Sequence, residues 1–202
     1  MLYLNAHIQS YSDSDIERLM KQLPEWRQEQ ALRFSHKEGR RECVLAYLEL
    51  MRGLSEEFGI REPQAFHYNE HGKPSLADHP EIHFSLSHCR VAVGCLLSKS
   101  PCGLDIERLH PIRQSVVDYA MNEAERSQIA MADEREIAFL RLWTQKEAVL
   151  KLRGTGIAEG LREALHPTLL QGICLDTEEH AAEGFVLSTA LALPDRMKQT
   201  ET

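Results

Sequence analysis

The sequence predicts a mixed α/β protein in which short antiparallel strands pack on helices. Apolar side chains recur at helical spacing in residues 41–58 and 135–152. Two short apolar runs, 82–86 and 91–97, flank a four-residue polar turn, as in an antiparallel hairpin. The pattern changes again near residue 100, and we find no internal repeat, so we expect a split of the chain near this point.

Each element follows from its local pattern. In chain order we expect a strand at 2–8, helices through the next fifty residues and above all at 41–58, a turn-rich stretch at 67–74, strands at 82–86, 91–97 and 102–106, helices at 113–131 and 135–152, and strands at 169–175 and 184–193. Gly59 ends the first long helix and Pro63 prevents its continuation. Gly154 and Gly156 end the last one.

The charge and composition exclude several functions. The 202 residues carry a formal net charge of −8, and 43% of them are apolar, which is enough for a core. This acidity argues against general binding of nucleic acid or of an anionic membrane. Residues 26–41 and 141–153 nevertheless each carry a local charge of +3, so a polyanionic ligand in a basic cleft is compatible with the sequence.

The cysteines and the apolar runs indicate the compartment. The five cysteines include no C-x-x-C pair, so neither a disulfide framework nor a zinc site is expected. No run approaches the roughly 20 apolar residues of a membrane helix, and the first ten residues do not resemble a signal peptide. We therefore expect a cytoplasmic protein without a membrane partner.

Two carboxylates alternate in the strand predicted at 102–106. Asp105 and Glu107 are two residues apart, so they point to the same side of a strand, whereas Leu104 and Ile106 point to the other. Two carboxylates that converge in this way favour a hard cation, Mg²⁺ or Mn²⁺. The alternative is a solvated strand end.

A second candidate lies in the segment 139–156. On a helix, Trp143, Glu147 and Lys151 stack one turn apart, with Lys146 about 100° round from Glu147. The alternative is a core helix whose Glu147 and Lys151 form an ordinary surface pair.

A third candidate is Ser87 with His88, in the turn predicted between two strands. Adjacent Ser and His are not a nucleophile and its base, because catalytic partners meet through space and need a third, orienting group. The pair is either a polar turn or a phosphate contact.

The combination of motifs resembles a known enzyme family. Five segments carry the resemblance, in chain order: LRFSHKEGRR (32–41), GKPSL (72–76), FSLSHC (84–89), GLDIE (103–107) and WTQKEAVLKLRGTG (143–156). Together they are similar to the successive motifs of the 4′-phosphopantetheinyl transferases of the surfactin-synthetase type.

The resemblance implies a fold and a reaction. It implies two similar α/β lobes, 1–100 and 101–202, related by a pseudo-twofold axis, with coenzyme A in the cleft between them. The enzyme would move the phosphopantetheine arm of coenzyme A to a serine of an apo acyl or peptidyl carrier protein and release adenosine 3′,5′-bisphosphate. Fatty-acid, polyketide, peptide-synthetase and siderophore systems all use such carriers, and the sequence does not select one. The family architecture suggests a monomer.

The resemblance also implies the metal ligands and the base. Asp105, Glu107 and Glu147 would ligate Mg²⁺, or Mn²⁺ in its place. Either Glu147 or a metal-bound water would take the proton of the carrier serine, and Lys151 would contact the pyrophosphate.

Coenzyme A contacts follow in the same way. Ser87 and His88 would meet the phosphates, with His88 favouring the 3′-phosphate, and Lys146 would support the site. Lys73 and Pro74 would lie along the adenine. Either Arg40 or Arg41, of which Arg41 is our choice, would supply the arginine expected at the start of the helix that follows.

The chain departs from the family pattern in its N-terminal part. Cys89 stands where the family usually has serine, and Gln30 falls near an expected lysine. Two other functions remain open: a non-catalytic binder of coenzyme A or of a carrier, and a different Mg²⁺-dependent phosphotransferase or phosphodiesterase. The three carboxylates favour catalysis, and no P-loop or kinase catalytic loop is present in the sequence.

Overall fold

The computed structural model of the protein describes residues 1–156 and 160–194. The fold is mixed α/β, as predicted, with small antiparallel sheets packed on helices. Up to residue 100 the elements are β1 (Leu2–Asn5), α1 (Asp13–Met20), α2 (Glu25–Leu32), α3 (Lys37–Phe58), β2 (Phe66–Tyr68), β3 (Pro74–Leu76), β4 (His83–His88) and β5 (Val93–Ser98). After it they are β6 (Cys102–Arg108), α4 (Gln114–Ala120), α5 (Glu123–Met131), α6 (Arg135–Arg153), α7 (Pro167–Leu170), β7 (Ile173–His180) and β8 (Phe185–Ala192).

Three antiparallel sheets organise these elements. The strand orders are β1-β5-β4, β2-β3 and β6-β8-β7. In each three-stranded sheet the central strand is buried, because a helix covers one face: α3 packs on β5, and α6 packs on β6 and β8. We call residues 1–100 the N-terminal half and residues 101–194 the C-terminal half; the lobe boundary and the pseudo-twofold relation stay predictions.

A shared apolar cluster joins the two halves. Cys89, Ala92 and Leu96 of the N-terminal half pack against residues of β6 and β8, among them Leu104 and Phe185. Burial of this surface on both sides favours a fixed relative position of the two sheets.

Serine hydroxyls connect β4 to β6, which lie side by side without pairing as strands. The Ser85 hydroxyl accepts a hydrogen bond from the Leu104 amide at 2.9 Å, and the Ser87 hydroxyl accepts one from the Ile106 amide at 3.1 Å. Because Ser85 and Ser87 are two residues apart in one strand, both side chains face the same neighbour.

Several predicted boundaries were wrong. The single helix predicted at 113–131 is two helices, because Asn122 caps α5 in a reciprocal capping box with Glu125. The predicted turn at 87–90 begins later, because β4 continues through Ser87 and His88. The turn-rich stretch contains the hairpin β2–β3, β1 ends at Asn5, and the first of the two last strands lies at Ile173–His180. In the described part of the chain, no helix is both long and apolar enough to cross a membrane.

Candidate active site

The strand β6 carries two of the predicted site residues. Asp105 is buried, with 4% of its surface exposed, and Glu107 is half-buried. Leu104 and Ile106, which alternate with them, are part of the shared apolar cluster. The two carboxyl groups are close enough for the charge on Asp105 to raise the pKa of Glu107.

The helix α6 brings Glu147 and Lys151 against this strand. At Gly103 the two elements touch, since a Cβ atom there would lie 1.9 Å from the carbonyl oxygen of Ala148. Only glycine permits so close an approach, so Gly103 sets the distance between strand and helix. Glu147 is buried there, whereas Lys151 is partly exposed.

A compact hydrogen-bonded group forms between the two halves. The Lys151 ammonium (Nζ) lies 2.6 Å from Asp105 Oδ1 and 3.2 Å from the Ser87 hydroxyl. That hydroxyl donates to Asp105 Oδ1 at 3.0 Å while it accepts from the Ile106 amide. Ser87 is buried, so its hydroxyl is occupied by protein groups; its predicted phosphate contact stays a prediction.

Two buried carboxylate oxygens in this group have no hydrogen-bond partner. They are Asp105 Oδ2 and Glu147 Oε1. Burial first, and then repulsion by Asp105, raises the pKa of Glu147 from 4.5 to about 7, against the attraction of Lys151. Unpartnered anionic oxygens in a buried site are the ligands that a hard divalent cation prefers, so the residues fit Mg²⁺.

The side chains as they stand do not enclose an ion. Within residues 1–156 and 160–194, no three His, Cys, Asp or Glu side chains are arranged so that they could hold a metal. Lys151 is the cation that contacts Asp105. The ligand set of Asp105, Glu107 and Glu147 therefore stays a prediction.

A pocket of about 340 Å³ opens beside Glu147 and Lys151. It lies between the halves, because its lining comes from the β2–β3 turn, from β4 and from the end of α6. The lining residues are His71, Gly72, Lys73, Pro74, Phe84, Ser85, Leu86, Glu147, Leu150, Lys151, Gly154 and Gly156. Its walls are largely apolar with a few polar groups, which is typical of a ligand site.

Lys73 and Pro74 line this pocket as predicted for residues near a ligand, but the Lys73 ammonium is already bonded. It lies 2.8 Å from the carbonyl oxygen of Leu152 and 3.3 Å from that of Cys102. Burial lowers the pKa of Lys73. The predicted contact of Lys73 with adenine stays a prediction.

His88 and Arg41 lie away from the pocket. The exposed His88 ring has its Nδ1 3.0 Å from Glu42 Oε2, and borders a second cavity that also includes Glu107. Arg41 is directed toward α1, with its guanidinium 3.8 Å from Asp13 Oδ1. The structure does not bring Arg41 together with the carboxylate group.

Lys146 faces the other side of α6. Its side chain is fully buried, and its ammonium is bonded to the carbonyl oxygens of Leu161 and Arg162 at 3.1 and 2.7 Å and to Glu125 Oε2 at 2.9 Å. These bonds fix a turn of the C-terminal half, and Lys146 does not line the pocket. The 100° separation of adjacent helical residues separates it from Glu147.

Sequence reasoning missed three residues at this site. Ser85 bonds β6, Asn69 bonds the end of α6, and Glu42 contacts His88. The alternation of Ser85 with Ser87 was a usable signal, and so was the turn-forming NEHG run that begins at Asn69. Nothing local points to Glu42.

Comparison with known proteins points to one family. A family model described as the 4′-phosphopantetheinyl transferase superfamily matches residues 101–186. This range contains β6 and α6, the two elements that carry the buried carboxylates and Lys151.

Individual relatives extend the similarity into the N-terminal half. The chain is 29% identical over 150 residues to the 4′-phosphopantetheinyl transferase Sfp of Bacillus subtilis (strain 168), a match that covers 73% of this chain and 67% of the relative. It is 36% identical over 97 residues to the 4′-phosphopantetheinyl transferase AcpT of Salmonella typhi, over 43% of this chain and 48% of the relative. With the 4′-phosphopantetheinyl transferase gsp of Aneurinibacillus migulanus it shares 35% identity over 94 residues, or 46% of this chain and 39% of the relative.

Proposed function

Because the chain belongs to the 4′-phosphopantetheinyl transferase superfamily, we propose that it transfers the 4′-phosphopantetheine group of coenzyme A to a serine of an apo acyl or peptidyl carrier protein. The other product is adenosine 3′,5′-bisphosphate. The observation that carries the proposal is the group of Asp105, Glu107, Glu147 and Lys151 beside a pocket between the halves.

The pocket suits coenzyme A in its chemistry. Phe84, Leu86 and Pro74 offer apolar surface to a base, and Lys151 offers a positive charge to a pyrophosphate. We assign Ser87 and His88 supporting roles toward the phosphates. The exposed His88 ring is free to turn to a ligand, whereas Ser87 orients Lys151 and Asp105.

Asp105, Glu107 and Glu147 would hold a Mg²⁺ ion, or Mn²⁺ in its place. When bound, such an ion neutralises negative charge on phosphate oxygens and on the departing bisphosphate. The two unpartnered oxygens, Asp105 Oδ2 and Glu147 Oε1, support this assignment, because a buried anionic oxygen without a partner is costly.

The reaction needs an acceptor for the proton of the carrier serine. Glu147 is our choice, because it faces the pocket and burial gives its carboxylate a higher affinity for protons than that of an ordinary Glu. The nucleophile belongs to the carrier, so this chain needs none of its own.

The experiment is a mass measurement on carriers. The protein is incubated with coenzyme A, Mg²⁺ and a panel of apo carriers from fatty-acid, polyketide, peptide-synthetase and siderophore systems. We expect at least one carrier to gain the mass of one phosphopantetheine, and EDTA to prevent the gain until Mg²⁺ is restored.

A non-catalytic binder of coenzyme A would behave differently. It would bind coenzyme A in calorimetry without dependence on Mg²⁺, and no carrier in the panel would gain mass. That pair of results would refute the transferase. We further propose that the protein acts as a monomer in the cytoplasm, which sedimentation at assay concentration and fractionation of cells would check.

A further inference from the structure

The turn between β2 and β3 reaches from the N-terminal half to the ends of two elements of the C-terminal half. Lys73 Nζ donates to the carbonyl oxygen of Leu152, at the end of α6, and to that of Cys102, at the start of β6. One ammonium group therefore joins the helix that carries Glu147 to the strand that carries Asp105.

Asn69 shapes this turn and adds a second bond to α6. Its Oδ1 accepts hydrogen bonds from the amides of His71 and Lys73 at 3.0 and 2.8 Å. Its Nδ2 donates to the carbonyl oxygen of Gly154 at 2.9 Å. The turn is thus held in shape by the same side chain that contacts the helix end, a preorganised arrangement.

The contacts lie where a helix needs them. The last carbonyl groups of a helix have no partner inside it, and a positive charge near them is favourable. Gly154 ends α6 with φ +70°, and the carbonyl groups of Leu152 and Gly154 find their partners in Lys73 and Asn69. The fit is close, because a Cβ atom at Gly154 would lie 2.9 Å from Lys73 Cδ and 3.0 Å from Asn69 Nδ2.

We propose that Asn69 and Lys73 are positioning residues, which fix the end of α6 relative to β6 and so set the placement of Glu147 and Lys151 against Asp105. Neither side chain needs to touch the reacting atoms for this role. The catalytic consequence rests on the proposed function, whereas the effect on the helix end does not.

A direct role in ligand binding makes a different prediction. If Lys73 held coenzyme A through its ammonium, its loss would raise KM for coenzyme A and leave kcat nearly unchanged. If it positions the acid group, its loss lowers kcat and weakens the response to Mg²⁺, because small displacements of catalytic groups cost rate.

The experiment compares Lys73→Met, Lys73→Arg and Asn69→Asp with the native chain. Methionine keeps the length of the stem without the charge, arginine restores a cation, and aspartate keeps the acceptor that shapes the turn but removes the donor to Gly154. Lys99→Met, at an exposed lysine outside the site, is the matched control. Hydrogen exchange of peptides from residues 146–156, Mg²⁺ binding by calorimetry, kcat and KM are measured for all of them.

We expect Lys73→Met to speed exchange at the end of α6, to weaken Mg²⁺ binding several-fold and to lower kcat by roughly 10- to 100-fold with KM for coenzyme A within about twofold. Lys73→Arg should recover most of kcat. Asn69→Asp should act in the same direction, and the double variant should lose less than the product of the single losses, since both act on one helix end.

Unchanged exchange and unchanged Mg²⁺ binding in both Lys73→Met and Asn69→Asp would overturn the inference, whatever the activity. A rise in KM alone would overturn it in favour of direct binding. If the native chain modifies no carrier, the proposed function fails, and the exchange and calorimetry still decide whether these two residues position the site.

Discussion

The two halves of the molecule have comparable parts but contribute differently to the candidate site. Each has a three-stranded antiparallel sheet covered by a long helix, α3 in one and α6 in the other. The C-terminal half supplies the charged groups, Asp105, Glu107, Glu147 and Lys151. The N-terminal half supplies one wall of the pocket and the hydrogen bonds of Ser85, Ser87, Asn69 and Lys73.

This difference teaches where reactivity and precision come from in such a site. Buried like charges repel one another, as the raised pKa values of Glu107 and Glu147 show. The elements that carry them must therefore be held from outside. The N-terminal half does this with a lysine, an amide and two hydroxyl groups, none of which adds negative charge to the group.

The largest expected effect is the loss of transfer when the acid group is altered. Asp105→Asn and Glu147→Gln should each lower kcat by ~10²- to 10³-fold or more, because each removes a charge that the reaction uses. The rate is measured by the intact mass of the carrier over time. Asp176→Asn and Glu136→Gln make the same chemical changes at exposed positions of the C-terminal half and should leave the rate unchanged. Near-native rates in either site variant would contradict the assignment.

Two glycines at the junction distinguish the halves by stability. At Gly103 a Cβ atom would meet the backbone of α6, 1.9 Å from the Ala148 carbonyl oxygen, and backbone cannot move aside easily. At Gly94 of β5 it would meet the flexible ends of Ile106 and Leu104, at 2.9 and 3.1 Å. We expect Gly103→Ala to cost about 3 kcal/mol of unfolding free energy and Gly94→Ala about 1 kcal/mol. Denaturant titration measures both, and equal costs would show that strand and helix are not in fixed contact.

The stability of the metal-free protein should depend on pH through Glu147. Its pKa rises from 4.5 to about 7 on folding, so its contribution favours the fold below pH 4.5 and is lost as pH rises through about 7. Glu147→Gln, which stays neutral, should therefore be more stable than the native chain above pH 7, with a gap that closes toward pH 4.5. Thermal unfolding in EDTA from pH 4.5 to 8 measures this gap. A gap that does not change with pH would mean that Glu147 is not buried among like charges.

The smallest effect separates the two serines of β4. Ser85→Ala and Ser87→Ala each remove the acceptor of a buried β6 amide, so each should cost about 1–2 kcal/mol of unfolding free energy. Only Ser87 also contacts Lys151 and Asp105, so only Ser87→Ala should lower kcat beyond its effect on stability. Equal kcat values in the two variants would assign Ser87 a structural role alone.

The sequence predicted what depends on local periodicity. Alternation placed Asp105 and Glu107 on one side of β6, and helical spacing placed Glu147 and Lys151 one turn apart on α6. Both elements are present, within about two residues of the predicted ends. The mixed α/β class followed from the same patterns.

What depends on distant partners was not predicted. Lys73 bonds residues 79 and 29 positions away, and Asn69 bonds one 85 positions away, so no local pattern encodes these contacts. The direction of Lys146 was missed for the same reason, because Glu125 and the Leu161 carbonyl that bind it lie on other elements. A polar residue in a strand or turn shows what it can bond, and only the fold shows to what.

The most direct test of the whole account is a crystal structure of the protein with coenzyme A and Mn²⁺, measured for anomalous scattering. The account predicts the strongest Mn²⁺ peak within ligating distance of the carboxylates of Asp105 and Glu147, with the pyrophosphate of coenzyme A in the pocket between the halves and the Lys73 ammonium still on the Leu152 carbonyl. A peak elsewhere, or coenzyme A bound outside that pocket, would contradict it.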